Sequence, residues 1–379
     1  MFDVSIEEFD KMNGQHVFSK QYEQKKKEML HNYRKNVLGS KRFHYGKVAA
    51  VFAVILVSGP IIVNAATNGE LFSRIWGTQG KEDVASHDEV VYDEEKGTSF
   101  TVTYPERDYE EVDEEKAEEL IGEEVSFPSI TKEVDGTTIT ILSAVRDKNA
   151  AVVEFTLEKE GGVDVLNYSQ LDNEAKGAWF SDTSTFWFKI GDGGESIFVD
   201  LEKSTEDKLY CYNYMTLESV SSNISMKLYE YPCTYGEWAA YAEDEAKSAE
   251  IDAETKTSTI NIPVSESTAS LELVNAEGGI VEMSPLSMKI DMNTGLGLTK
   301  EQASDPYSCY YVSINYKDGT NYVVHEHGIS GIHTCDVEIN NSSYACGNTS
   351  NEMTYVFNRL VDTDQVESVT INDTEYTFK

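Results

Sequence analysis

A chain of 379 residues with 40% hydrophobic and 11% aromatic side chains has enough apolar surface for two or three folded domains. Its 67 acidic and 31 basic residues give a formal net charge of -36, which opposes nucleic-acid binding. There is no G-x-S-x-G elbow, H-E-x-x-H pair, phosphate loop or dinucleotide fingerprint, so the chain reads as a non-enzyme without a cofactor.

Residues 1–47 hold ten Lys/Arg and six Asp/Glu and are net positive, against the acidic remainder. Ser5 and Glu8 make a capping box, Val4 and Phe9 fit the hydrophobic staple, and Asn13-Gly14 supplies a stop. A second helix is predicted from Phe18 to about Leu38. On it Phe18, Tyr22, Met29, Tyr33 and Val37 repeat at four- and seven-residue steps, forming one apolar stripe opposite a Lys-rich face. A piece this short cannot bury such a stripe by itself, so the stripe wants a partner: another protein, membrane lipid or a second copy.

Val48–Ala66 reads VAAVFAVILVSGPIIVNAA, an uncharged run of 19 residues that would span about 28 Å as a helix. On its N-terminal flank Lys25, Lys26, Lys27, Arg34, Lys35, Lys41, Arg42 and Lys47 face a single acid, Glu28, which favours an inside N-terminus. We read 1–47 as cytoplasmic, 48–66 as a transmembrane helix and the rest as outside the cell membrane. Val63-Asn64-Ala65 resembles a signal-peptidase site. A basic region of 47 residues and an apolar run beyond the usual length of about 7–15 argue against cleavage there. Pro60 removes an N–H that would pair with the Leu56 carbonyl, and Gly59 adds backbone freedom, so a break in the membrane helix is predicted. Such a break suits processing proteases, although Gly and Pro are also common in ordinary spans.

Residues 67–128 form an acidic juxtamembrane region, in which 106–124 contain eleven acids and two basic residues. Lys116 to Ile121 reads either as a short helix ended by Gly122 or as a solvated segment, and the spacing is not that of a calcium loop. From Gly136 the pattern is β. Predicted hairpins are TTITILSAV with AVVEFTLE, STFWFKI with SIFVDLEK around Gly191–Gly194, and YYVSINY with NYVVHEH around Lys317–Thr320. EWAAYAEDEAKSA (237–249) reads as one helix. The predicted architecture is a mainly β exterior of two sandwich-like domains, 129–255 and 256–379, joined to one transmembrane helix and a short α-helical cytoplasmic segment.

Cys211, Cys233, Cys309, Cys335 and Cys346 all lie outside, where disulfides are permitted; pairing and simple core thiols both remain open. The one cluster of metal-ligand types is His325, His327, His333 and Cys335, but its spacing matches no site signature and no metal is expected.

VEMSPLSMKID (281–291), YKDGTNYVV (316–324), YACG (344–347) and YVFNRLVDTDQVESVTINDTEYTF (355–378), with NAATNGELFSRIWG (64–77), carry a resemblance. Together they resemble the Gram-positive single-pass, anti-sigma-factor-like membrane proteins that carry the domain of unknown function 4179. The resemblance implies a transmembrane regulator of transcription that binds an extracytoplasmic-function sigma factor inside and senses envelope conditions outside. The chain departs from the better understood anti-sigma pattern: residues 1–47 contain no cysteine, so the zinc-binding His-x3-Cys-x2-Cys motif is absent. The alternative is a membrane-anchored binding or adhesion module with no signalling role.

Overall fold

The computed structural model describes residues 71–77, 83–93, 98–104, 106, 108–168, 177–219, 221–241, 244–265, 270–293, 295–303, 309–326, 339–340, 342–347 and 352–379. The apolar stripe of Phe18, Tyr22, Met29, Tyr33 and Val37 and the uncharged run at 48–66 lie outside them. Among the described residues no helix is long and apolar enough to cross a membrane.

The chain is mainly β, arranged as several antiparallel sheets. Helix α1 (Leu71–Gly77) is followed by the hairpin β1 (His87–Asp93) and β2 (Thr98–Tyr104), then by α2 (Glu114–Ile121). The acidic region thus folds as the helical alternative, starting two residues earlier than read: Asp113 accepts from the N–H groups of Glu115 and Lys116 and caps α2. Next come β3 (Val125–Ser126), β4 (Ile130–Val134), β5 (Thr137–Arg146), β6 (Ala150–Glu158), β7 (Leu166–Tyr168) and β8 (Gly177–Phe180). β9 (Phe186–Ile190), β10 (Glu195–Val199), β11 (Lys208–Thr216) and β12 (Asn223–Glu230) lead to helices α3 (Tyr235–Ala240) and α4 (Glu245–Glu254) and to β13 (Lys256–Pro263).

Eight of these strands form one sheet, in the order β3-β5-β6-β11-β10-β8-β7 with β4 also on β5, and three form another, β13-β12-β9. One core fills the space between them. Ile139, Val153, Phe155 and Leu157 from the larger sheet meet Phe186, Phe188, Met226 and Ile260 from the smaller. Phe155 and Phe188 touch edge to face at 5.5 Å. The Asp135-Gly136 turn between β4 and β5 has positive φ at both residues (47° and 72°), the conformation that Asp-Gly hairpin turns favour.

β5–β6 is the hairpin the sequence predicts. The second expected hairpin is not formed: β9 pairs with β12, whereas β10 pairs with β8 and β11. Gly191–Gly194 therefore carries the chain from one sheet to the other. Gly193 sits so close to Thr216 that a Cβ would lie 2.2 Å from its carbonyl oxygen. Residues 237–249 form parts of two helices rather than one, because Asp244 caps a fresh start by accepting from Ala246 and Lys247 N–H. β13 pairs with β12 along its whole length, so Lys256–Pro263 belongs with the first lobe, although the sequence reading opened the second domain at 256.

The second lobe consists of β14 (Leu271–Val274), β15 (Ile280–Met283), β16 (Ser287–Asp291), α5 (Lys300–Ala303), β17 (Tyr311–Tyr316), β18 (Asn321–Glu326), β19 (Ile339–Asn340), β20 (Ser342–Gly347), β21 (Glu352–Phe357), β22 (Val366–Ile371) and β23 (Thr374–Phe378). These form one sheet in the order β19-β18-β17-β22-β23-β14-β15-β16-β21-β20. β17–β18 is the third predicted hairpin. The two ends of the sheet, β19 and β20, are one residue apart in sequence, so the sheet curls into a near-barrel instead of the expected stacked pair. Val281, Met288, Ile314, Tyr355, Val369 and Tyr376 fill it.

Candidate functional site at the stem helix and lobe junction

Helix α1 begins four residues after the uncharged run ends. Leu71, Phe72, Ile75 and Trp76 recur at helical spacing and are almost fully buried, none more than 2% exposed. The Phe72 and Trp76 rings stack at 5.9 Å. Their seat is the outer face of β5, β6 and β11, where Val145, Val152, Tyr212 and Tyr214 point away from the first core. Ala117 and Ile121 of α2 close it on one side, and Leu286 and Val356 of the second lobe on another. An antiparallel sheet commonly leaves one face wet; here β6 and β11 are buried on both faces because α1 and α2 cover the second.

Two polar contacts fix the helix axially. The Glu114 carboxylate accepts from the N–H groups of Ser73 at 2.6 Å and Phe72 at 3.3 Å, satisfying donors that the first turn leaves unpaired. The Tyr214 hydroxyl donates to the carbonyl of Ile75. The acidic segment before α2 is itself held by the second lobe: Arg359 pairs with Glu110 at 2.7 Å, and Asn358 donates to the Asp108 carbonyl at 3.2 Å. Arg359 also lies 4.1 Å over the Tyr322 ring.

The lobes are joined directly through the β5–β6 turn. Asp147 Oδ1 accepts from Asn149 and Ala150 N–H, both at 2.7 Å, and Oδ2 accepts from the hydroxyls of Ser284 and Ser287 in the β15–β16 turn of the other lobe. Burial pushes this carboxyl above the ordinary carboxylate range, and the four hydrogen bonds oppose the shift. Beside it Lys148 pairs with Glu282 at 2.7 Å. Arg146 is 1% exposed; it donates to the carbonyls of Asp147 and Ser221, while its Nη2 has no hydrogen-bond partner among the described residues. Burial pushes the guanidinium down from its usual value, against the charges of Asp147 and Asp192. Arg146 and Asp147 line a cavity of about 30 Å³ with Leu120, Ile121, Pro285 and Leu286, room on the scale of a single water.

The arrangement joins three parts. The stem, the first lobe and the second lobe meet in one apolar cluster bordered by a buried carboxylate. The helix is held there by apolar packing and by hydrogen bonds with both of its neighbours, α2 and β11.

Phe18, Tyr22, Met29, Tyr33, Val37, Gly59, Pro60, His327, His333 and Cys335 lie outside the described residues. His325 is half-buried on β18, with its ring 6.0 Å from that of Tyr355. No group of three or more His, Cys, Asp or Glu among the described residues is placed to hold a metal. Cys211, Cys233 and Cys309 are free thiols, the first and last fully buried. The sequence reading missed the role of Glu114, Asp147 and Tyr214. The spacing of Leu71, Phe72, Ile75 and Trp76 is the signal that could have found the seat.

No family model matches the chain, and no curated protein does. Among solved structures, the crystal structure of a conserved domain protein from Bacillus anthracis is similar at 12% identity and a TM-score of 0.32, covering 65% of this chain and 75% of that one. A likeness that slight carries no argument here.

Proposed function

We propose that the chain is a single-pass membrane regulator, anti-sigma-factor-like, that binds a sigma factor inside and senses envelope conditions outside. On this reading 1–47 is the cytoplasmic helical segment, 48–66 the transmembrane helix, and the two β lobes the exterior sensor. Phe18, Tyr22, Met29, Tyr33 and Val37 form the docking stripe, in the manner of a helix laid in a groove.

The observation that supports it is the burial of α1. Four residues reach about 14 Å at most, so the exterior would sit against the membrane surface with its stem clamped between both lobes. A passive anchor gains nothing from such a clamp, whereas a sensor needs one, because any shift between the lobes then acts on the stem. Proteolysis near Gly59 and Pro60 after release of the stem is one output compatible with this layout.

The test uses the tagged full-length chain, purified from native membranes as wild type and as the Tyr22→Glu/Tyr33→Glu variant. Copurification of a sigma factor with the wild type alone supports the regulator. Loss of the stripe without any change in bound protein returns the chain to the surface-adhesion reading.

A further inference from the structure

β1 and β2 pair in one continuous register, from His87 opposite Tyr104 to Asp93 opposite Thr98, and form a sheet of two strands. No third strand joins β2 among the described residues. Val90 is 72% exposed, and Ser99 and Thr101 are exposed. A two-stranded ribbon is marginal in water, and an open edge offers a row of backbone donors and acceptors to another strand.

The two strands differ in how they are guarded. β1 reads HDEVVYD, and its three acids are the kind of charge that protects an edge. β2 reads TSFTVTY: no charge, no proline, and every residue except Ser99 is β-branched or aromatic. It is also self-complementary. Antiparallel pairing about a two-fold axis at Thr101 sets Thr101 opposite itself, Phe100 opposite Val102 and Ser99 opposite Thr103. These are the aromatic–β-branched and hydroxyl pairs that stabilise sheets, and no like charges oppose each other.

We propose that β2 is an interface for a second copy of this chain, joining two hairpins into a four-stranded antiparallel sheet. Self-complementarity is what selects a second copy over an unrelated strand. The chain's net charge of -36 opposes the association, so it strengthens as salt screens that repulsion.

The test is sedimentation of the full chain in detergent micelles with cross-linking. Wild type is expected to sediment as a dimer, more completely at higher salt. Thr101→Lys, which sets two ammonium groups against each other at the axis, is expected to weaken the dimer at least tenfold with an unchanged circular dichroism spectrum. Thr101→Cys is expected to add a disulfide-linked dimer on a non-reducing gel, above the background of the native cysteines. Thr98→Cys is not, because two copies of that position would lie about 20 Å apart. A monomeric wild type overturns the proposal. So does a dimer that survives Thr101→Lys and gains no cross-link from Thr101→Cys, which would place the contact on another seam.

Discussion

The hydroxyl of Tyr214 donates to the backbone carbonyl of Ile75, 139 residues earlier in the chain. The bond ties the middle of α1 to the last strand of the first lobe's central trio, β5, β6 and β11. The ring itself is held edge to face against Phe198 at 5.2 Å, so Tyr214→Phe keeps the packing and removes one hydrogen bond. Such a bond contributes about 0.5–1.5 kcal/mol net. The expected outcome is a loss of about 1 kcal/mol, with faster amide hydrogen exchange in α1 and none in the three-stranded sheet on the far side of the core.

Trp76 makes a larger contribution to the same seat. Trp76→Ala removes a side chain that is 2% exposed and stacked on Phe72, a change that costs about 3–5 kcal/mol in a packed core. The first lobe's own core, between its two sheets, does not include Trp76. The variant is therefore expected to undock the stem and keep the lobes folded. Trypsin is expected to cut after Arg74 in the variant and not in the wild type, while the strand content by circular dichroism stays the same. Phe155→Ala, of similar size but inside that core, is expected to broaden or abolish the main unfolding transition.

Asp147 predicts a pH dependence with a definite sign. Burial raises its carboxyl in the folded protein above the unfolded value, so the folded state holds a proton that the unfolded chain has already lost. Stability from this group is fully present below the unfolded pKa and is lost as pH rises through the folded pKa. Acid also relieves the general repulsion of a strongly acidic chain, so the comparison must be with Asp147→Asn, which shares that relief. Thermal melts from pH 7 downward are expected to favour the wild type increasingly over Asp147→Asn, in the window above the ordinary carboxylate range. Asp147→Ala behaves differently: it strands two N–H groups and two hydroxyls at the lobe junction and is expected to cost about 3 kcal/mol or more at any pH.

The strands were legible because their cues are local. Alternation marked β5, β6, β17 and β18, and Asp147-Lys148-Asn149 and Lys317–Thr320 marked their turns. What escaped was set by distant partners. Asp147 read as a turn former, and its bonds to Ser284 and Ser287 cross 137 and 140 residues. Glu114 was one acid in a run of eleven; its contact with Ser73 depends on α1 and α2 lying side by side. Curling of the second sheet into a near-barrel leaves no periodic signature, because closure depends on which strands its ends meet. A Gly-rich break between two apolar strands looks the same whether the chain turns back or changes sheet, and Gly191–Gly194 changes sheet.

That last ambiguity has a mutational consequence. Gly193 lies where a Cβ would meet the Thr216 carbonyl oxygen at 2.2 Å and its hydroxyl at 2.4 Å. The first of these neighbours is backbone at the end of β11, where the N–H of Thr216 is already bonded to the Gly194 carbonyl, so it cannot swing aside. Gly193→Ala is expected to destabilise the first lobe by about 1–3 kcal/mol, the range for overfilling a packed site. Gly177, at the start of β8, has no atom of a described residue within 4 Å of the position a Cβ would take. Gly177→Ala is therefore expected to leave the melting temperature unchanged or slightly raised, since it only reduces the freedom of the unfolded chain. If Gly191–Gly194 were a simple exposed hairpin turn, Gly193→Ala would be as mild as Gly177→Ala, and parallel denaturant melts of the two variants distinguish the cases.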